Sequence, residues 1–320
     1  VILKPIDNID IFCEKAESHI GVFASKNWLS IYGDTLNIIG VYKDEHQLIG
    51  GFYFLDTKKF GFKFIKLPPY APHCGLFYIS ESKNNASINN FSKELMNDVC
   101  TYFSNQKSAL TILAFPSQII DLQSFIWSKY KVIPNYTYRI KLQQSIDDIK
   151  SNFDSKNRNA INKAIKEGVI VEDSTISKKE EFNYFKTTLS ARGANIYEPI
   201  LENIFLKFSD SSNSFCLAAK KDNVLLGMVF CVYDQHNCYY MLGFVDKNSG
   251  IQGVNNLLVQ KCIEKSKDLG CTTFDFEGSM LKGVEKFFRS FGPELFPYFT
   301  VNKAILPLEI LLKFKKRELF

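Results

Sequence analysis

The sequence has no apolar run approaching the roughly 18 residues that a membrane-spanning helix needs. It has no basic segment leading into an apolar stretch and a small-residue cleavage site, so no secretory signal peptide is expected. Its eight cysteines (13, 74, 100, 216, 231, 238, 262 and 271) form no Cys-x-x-Cys pair, and only four histidines accompany them. That pattern argues against a structural zinc site, and no metal is expected. Several cysteines sit in apolar stretches, where Cys acts as a small hydrophobe, so a reducing, cytoplasmic setting is expected. Strong charge is missing too. A net charge of +5 is too modest to point to DNA; it suits an anionic small molecule, a phosphate-bearing carrier or an acidic surface. What remains is an ordinary globular composition, and 320 residues suggest two domains.

What is present is a repeat. Val41–Leu55 (VYKDEHQLIGGFYFL) aligns with Ala218–Val232 (AAKKDNVLLGMVFCV). Lys43 falls on Lys220, Leu48 on Leu225 and Gly50 on Gly227. Ile88-Asn89-Asn90-Phe91 matches Val254-Asn255-Asn256-Leu257, and Phe125, Ser128 and Tyr136 match Phe287, Ser290 and Tyr298. The order is kept while the offset drifts, as in a tandem duplication with insertions. Two copies create an interface, and ligand sites favour domain interfaces.

In copy one, Ile6–Glu17 reads as a helix, Leu36–Tyr42 and Leu48–Leu55 as a hairpin, Phe62–Leu67 as a strand, Phe91–Tyr102 as a helix and Ala109–Phe115 as a buried strand. Ile149–Glu167 reads as one basic helix stopped by Gly168. In copy two, Phe215–Lys220 and Val224–Tyr233 form the hairpin and Cys238–Val245 the next strand. Val254–Leu269 is a helix, Thr272–Glu277 a strand, Val284–Phe291 a short helix and Leu295–Val301 a strand. Leu306–Phe320 mixes Leu with Lys-Lys-Arg. It fits either a membrane surface or a helix packed on the core, and packing is the expectation.

Two local patterns carry chemistry. Lys247-Asn248-Ser249-Gly250-Ile251-Gln252-Gly253 joins a strand to a helix, where free N–H groups and the helix dipole attract anions. Any strand-to-helix turn favours Gly, but the matching turn in copy one, Glu81–Ser87, has none, so if one copy holds a phosphate-bearing donor it should be copy two. Phe274-Asp275-Phe276-Glu277-Gly278-Ser279 alternates, placing Asp275 and Glu277 on one face and the phenylalanines on the other. A carboxylate there is either a general base or the partner of Lys282, Lys286 or Arg289. Ser279 is either a substrate contact or a cap. Tyr70 and His73, in a Pro-rich loop, are candidates for a substrate cleft. Tyr239 and Tyr240 lie on opposite faces, so at most one reaches a cleft. Arg158 and Lys163 offer phosphate or carboxylate contacts, and Arg192 a helix C-terminal charge.

The Leu-Leu-Gly hairpin, the Gly loop before a helix, the FDFEGS strand and the Phe-Phe-Arg-Ser-Phe-Gly segment resemble the GNAT acyltransferase superfamily. Ser25-x-x-Trp28, the Pro-Pro-Tyr loop ending at Gly75 and Arg158-x-x-Ile161-x-Lys163-Ala164 resemble its tandem, FemAB-like branch. The resemblance implies an α/β (α+β) fold of two GNAT-like domains, each a mixed, mostly antiparallel sheet flanked by helices. They would span 1–145 and 146–304, with the donor site in the second and a basic, apolar tail over 305–320. It also implies an N-acyltransferase moving an acyl group from acyl-CoA to the amine of a small molecule or a cell-envelope or polysaccharide precursor. Glu277 and Asp275 would be catalytic. Lys247, Ser249, Gly250, Ile251, Gln252, Gly253, Lys286 and Arg289 would hold the donor. Trp28, Tyr70, His73, Arg158, Tyr240 and Ser279 would meet the substrate.

Two motifs depart from the family. The donor loop Lys247-x-x-Gly250-x-Gln252 keeps the central Gly without the small final residue, and Phe288 stands where bridge-forming ligases carry Lys. The alternatives are a ligase fed by aminoacyl-tRNA and a non-catalytic binding protein that kept the fold.

Overall fold

The computed structural model describes all residues except 192, 194, 195, 210–212, 279, 317 and 318. The strands are β1 (Ile2–Pro5), β2 (Leu36–Tyr42), β3 (Leu48–Lys59), β4 (Phe62–Lys66), β5 (Phe77–Tyr78), β6 (Leu110–Ala114), β7 (Lys131–Lys141), β8 (Ile170–Asp173), β9 (Ser214–Lys221), β10 (Val224–Tyr233), β11 (Asn237–Val245), β12 (Thr273–Asp275) and β13 (Glu294–Ala304). The helices are α1 (Ile9–Ile20), α2 (Lys26–Ser30), α3 (Asn85–Asn105), α4 (Gln123–Trp127), α5 (Ile146–Ser151), α6 (Ser155–Lys166), α7 (Lys178–Ala191), α8 (Glu198–Asn203), α9 (Val254–Asp268), α10 (Lys282–Arg289) and α11 (Leu306–Lys315).

Two compact units result: residues Val1–Asn135 with Pro297–Phe320, and Tyr136–Phe296. In the first, the strand order is β1-β2-β3-β4-β6-β13, with β5 also on β3. In the second it is β7-β12-β11-β10-β9-β8. Among the described residues, β4–β6 and β11–β12 are the parallel pairs within these sheets. The strand beside β12 is β7, which follows copy one in sequence. The strand beside β6 is β13, which follows copy two. The last strand is thus exchanged between the copies, and residues 297–320 belong with the first unit.

The aligned glycines have one physical job. A Cβ on Gly50 would lie 2.4 Å from the Phe77 carbonyl oxygen, and one on Gly227 would lie 2.7 Å from that of Phe244. Each lets the hairpin approach the next strand more closely than any side chain permits. In the first unit Phe52 and Phe54 pack on Phe103 of α3, with ring centroids 5.2 and 5.4 Å apart. In the second, α9 buries Leu257, Leu258, Cys262 and Ile263 against the sheet. All eight cysteines are buried and free.

Capping explains two local departures. The helix expected over Ile149–Glu167 is broken in two, because Asp154 caps α6 by accepting from the Asn157 N–H at 2.6 Å. The Ser25-x-x-Trp28 motif is also a cap: the Ser25 hydroxyl accepts from the Trp28 N–H at 3.2 Å. In the tail, α11 has no fully buried residue, while Leu308, Glu309 and Leu312 are half-buried, so it packs on the first unit by one side and exposes the other.

Candidate active site

The second unit brings together two groups of polar residues around β11. The first is the Gly loop. Asp246 accepts from the Asn248 N–H at 2.9 Å and the Ser249 hydroxyl donates to the Asp246 carbonyl at 2.9 Å, closing a short turn over Lys247–Ser249. Gly250 follows at φ 68°, Ile251 is half-buried, and Gly253 precedes α9 at φ 83°. No side chain caps α9, so no cap competes for its first-turn N–H groups, an arrangement suited to an anion. Lys163 of α6 reaches this loop and donates to Gln252 Oε1 at 3.0 Å. Lys247 is exposed.

The two glycines are not equivalent. A Cβ on Gly250 would meet nothing within 4 Å, whereas one on Gly253 would lie 2.0 Å from the Ala160 carbonyl oxygen of α6. Gly253 therefore serves helix packing. Gly253→Ala should cost about 2–4 kcal/mol from overpacking and left-handed strain together, against about 1 kcal/mol for Gly250→Ala. Urea unfolding of both variants checks this; equal losses would contradict it.

The second group lies at the end of β12. Asp275 is 3% exposed yet fully engaged. It accepts from the Thr137 hydroxyl at 2.5 Å, from Arg139 Nε at 2.6 Å and from the Glu277 backbone N–H at 2.9 Å. The Thr137 hydroxyl in turn accepts from the Gly278 N–H at 3.0 Å. Glu277 is half-buried and sits at φ 57°, an uncommon conformation for a residue with a Cβ. Burial, and then the Asp275 carboxylate, push its carboxyl well above its ordinary range, while Arg139 opposes the rise. Tyr239 joins this group. Burial foremost, then Asp234, Glu277 and Asp275, raise its hydroxyl well above the usual range.

Between the groups the sheet opens. β11 and β12 pair only from Asn237–Tyr239 to Thr273–Asp275, while β11 continues to Val245. That free stretch is about 20 Å long at strand rise. In it Met241 is an extra residue, since Phe230 pairs with Leu242 and Cys231 with Tyr240. Such a bulge takes main-chain groups out of the ladder. Tyr240, Phe276 and Phe288 fill the opening on the core side, with Tyr240–Phe288 and Phe276–Phe288 centroids 5.4 and 4.5 Å apart.

The remaining candidates scatter. The strand ends at Asp275, two residues before the expected end, so Glu277 leaves the alternation that the sequence suggested. Asp275 pairs with Arg139, while Arg289 pairs with Glu285 at 2.7 Å and Lys286 is exposed. Arg158 donates to the Ser151 carbonyl at 3.0 Å and to that of Phe153, tying off the end of α5. Tyr240 is on the aromatic side and Tyr239 on the carboxylate side. In the first unit Trp28 is fully buried, edge-on to Phe23 at 5.0 Å. His73 Nδ1 accepts from the Gly75 N–H at 3.2 Å, and Tyr70 is half-buried at φ 66°. Ser279 and Arg192 lie outside the described residues.

Sequence reasoning missed Thr137 and Arg139, and of Tyr239 and Tyr240 it assigned Tyr240, whereas Tyr239 is the one beside the carboxylates. The one signal for Arg139 is its place in an otherwise apolar-alternating strand, Tyr138-Arg139-Ile140. Among the described residues, no group of His, Cys, Asp and Glu could hold a metal ion, and no helix is long and apolar enough to cross a membrane.

Residues 177–289, which include the Gly loop, the β12 carboxylates and α10, match the family model described as an acetyltransferase (GNAT) domain. Those residues thus match a GNAT acetyltransferase domain, and the fold around them is similar to that of two-unit, GNAT-like proteins. Across almost its whole length that fold is similar to the crystal structure of FemX, with a TM-score of 0.68, 15% identity, and 98% of this chain and 100% of that chain covered. It is also similar to a tandem GNAT protein from the clavulanic acid biosynthesis pathway, with a TM-score of 0.57, 8% identity and 94% and 98% of the two chains covered. L-PGS from Bacillus licheniformis gives a TM-score of 0.54 at 13% identity, with 94% of each chain covered. No curated protein sequence matches this chain.

Proposed function

We propose that the protein is an N-acyltransferase that takes an acyl group from acyl-CoA and delivers it to the amine of a small-molecule or cell-envelope precursor. The observation that carries this reading is the uncapped start of α9, set at one end of a splayed strand whose other end holds Glu277 and Asp275. The donor's phosphates would lie at the α9 N-terminus, with Lys163 and Lys247 as counter-charges. The acyl arm would follow β11. The amine nitrogen attacks the thioester carbonyl, forming the C–N bond as the C–S bond breaks. Main-chain N–H groups freed at the Met241 bulge would hold the developing oxyanion. Three donors already occupy Asp275, which makes it a poor base. Glu277 takes the ammonium proton, and the CoA thiolate is protonated from solvent on leaving.

Calorimetry with acetyl-CoA and a longer acyl-CoA tests the donor site, with Gly250→Asp as the control. Asp fits the open space at Gly250 and is among the residues that tolerate left-handed backbone, but it would repel pyrophosphate. Binding should be measurable for the intact protein and fall at least about tenfold in the variant, corresponding to about 1.4 kcal/mol. Absence of binding by the intact protein would overturn the acyl-CoA assignment.

A second reading takes its support from the whole-length likeness to FemX: an aminoacyl-tRNA donor, as in the bridge-forming ligases that the sequence resembles. It is distinguished by RNase-sensitive activity that falls steeply with salt. A third, a fold without catalysis, predicts no thioester consumption with any amine.

A further inference from the structure

We propose that α11 and the β3–β4 hairpin of the first unit form a docking surface for an anionic lipid membrane. Leu306, Ile310 and Phe314 are spaced four residues apart and so share one face of α11. They are 71%, 49% and 87% exposed, and Leu311 beside them is 47% exposed. Leu308 and Leu312 are half-buried, so α11 rests on the first unit by that side and turns the exposed stripe to water, where nothing among the described residues covers it.

The hairpin supplies a second, independent element. Phe60, at its tip, is 87% exposed, and Phe62 is 54% exposed. Backbone bonds place the two elements at one end of the sheet. The Ala109 N–H donates to the Lys63 carbonyl at 2.8 Å, and the Ile305 N–H donates to the Ala109 carbonyl at 3.0 Å. The hairpin therefore enters β4, and β13 runs out into α11, at neighbouring points.

Charge selects the occupant. Exposed lysines alternate with the exposed aromatics: Lys58 and Lys59 before Phe60, and Lys313, Lys315 and Lys316 around Phe314. Among the described acidic residues nearby, Glu309 pairs with Lys313 at 2.9 Å and Asp56 with Lys63 at 2.9 Å. Apolar side chains interleaved with exposed lysines suit the boundary of acyl chains and anionic headgroups, where the lysine stems lie along the apolar layer. The ten residues of α11 extend about 15 Å, enough to lie in that boundary and too short to cross it. A second copy is a poorer occupant, because a two-fold contact would bring the same lysines face to face.

Co-sedimentation tests the surface, using vesicles of phosphatidylcholine alone and of phosphatidylcholine with phosphatidylglycerol. The full chain should partition onto the anionic vesicles and be released by salt. A Phe60→Ser, Phe314→Ser variant should lose at least about tenfold in partitioning. A Lys315→Glu, Lys316→Glu variant should lose about fivefold or more per lysine. The changed residues are exposed, and thermal unfolding verifies the fold; the charge variant remains as a reading if the apolar one misfolds. The proposal is overturned by absence of binding to anionic vesicles at low salt, or by binding that neither variant weakens. It is equally overturned by a concentration-dependent dimer that the Phe variant dissolves, which would give the face to a second copy.

Discussion

Replacing Arg139 with Met should destabilise the protein by about 3 kcal/mol or more, the largest loss expected from a single side chain in the β12 region. Asp275 is nearly inaccessible, and among the described residues Arg139 is its one charged partner by ion pairing, at 2.6 Å. Removing the guanidinium strands a buried carboxylate, and breaking one side of a buried pair costs about 3–5 kcal/mol. Arg139 is itself 28% exposed, so water relieves part of the loss and the lower end applies. Asp275→Asn on the same background should recover stability, because an amide needs no counter-charge while still accepting from Thr137. A double-mutant cycle followed by urea unfolding measures the coupling. Strictly additive losses would show that the pair contributes nothing. Arg139→Met should also lower activity in folded protein, since Arg139 is the group that opposes the rise in the Glu277 carboxyl. Arg139 acts here as a positioning residue, and its signature is a shift of the pH–rate profile to still higher pH.

The pairing of Arg139 with Asp275 also shows where the sequence stops being legible. Local signals carried far. The duplication was visible because Gly50 and Gly227 answer the same steric demand, a carbonyl of the neighbouring strand that leaves no room for Cβ. The start of α9 was visible because a polar, Gly-bearing loop broke two apolar patterns. Partners brought from a distance were not visible. Thr137 and Arg139 lie 138 and 136 residues from Asp275, and they reach it only because the strand following copy one is laid against β12 of copy two. Nothing local distinguishes that exchange from each copy keeping its own last strand. Parity failed for a related reason. Strand alternation separates Tyr239 from Tyr240, but it cannot say which side carries the carboxylates once the partner strand ends at Asp275 and the chain turns left-handed at Glu277. The basic helix was split by Asp154, whose capping role is readable from composition alone. A continuous apolar spacing across Ile149, Phe153 and Ile161 obscured it.

Glu277→Gln should separate function from stability and change both in opposite directions. The Glu277 carboxyl is raised well above its ordinary 4.5 by burial and by Asp275, so the folded protein holds that proton more tightly than the unfolded chain does. Below the unfolded value both states are protonated and the full contribution to stability is present. As pH rises past it, the unfolded chain releases the proton first, and stability falls by about 1.4 kcal/mol per pH unit until the folded value is passed. Gln has the same shape and no proton to release. The variant should therefore match the wild type near pH 4 and exceed it increasingly as pH rises above the unfolded value, the gain levelling off once the folded value is passed, as read by thermal unfolding from pH 4 to pH 8. Catalysis runs the other way. A base works only when ionised, so wild-type kcat/KM should climb through the raised value, whereas the variant should lose about 100- to 10,000-fold at the plateau. Glu277→Gly adds a control on the backbone: it removes the carboxyl and also the left-handed strain at φ 57°, worth about 1 kcal/mol. A constant stability gap from pH 4 to pH 8, or a rate profile that turns over in the ordinary carboxylate range, would remove Glu277 from the role of base. The opposed signs are what a site that pays for reactivity with stability should show: the environment that makes the carboxyl costly to ionise is the one that makes it an effective acceptor for an ammonium proton.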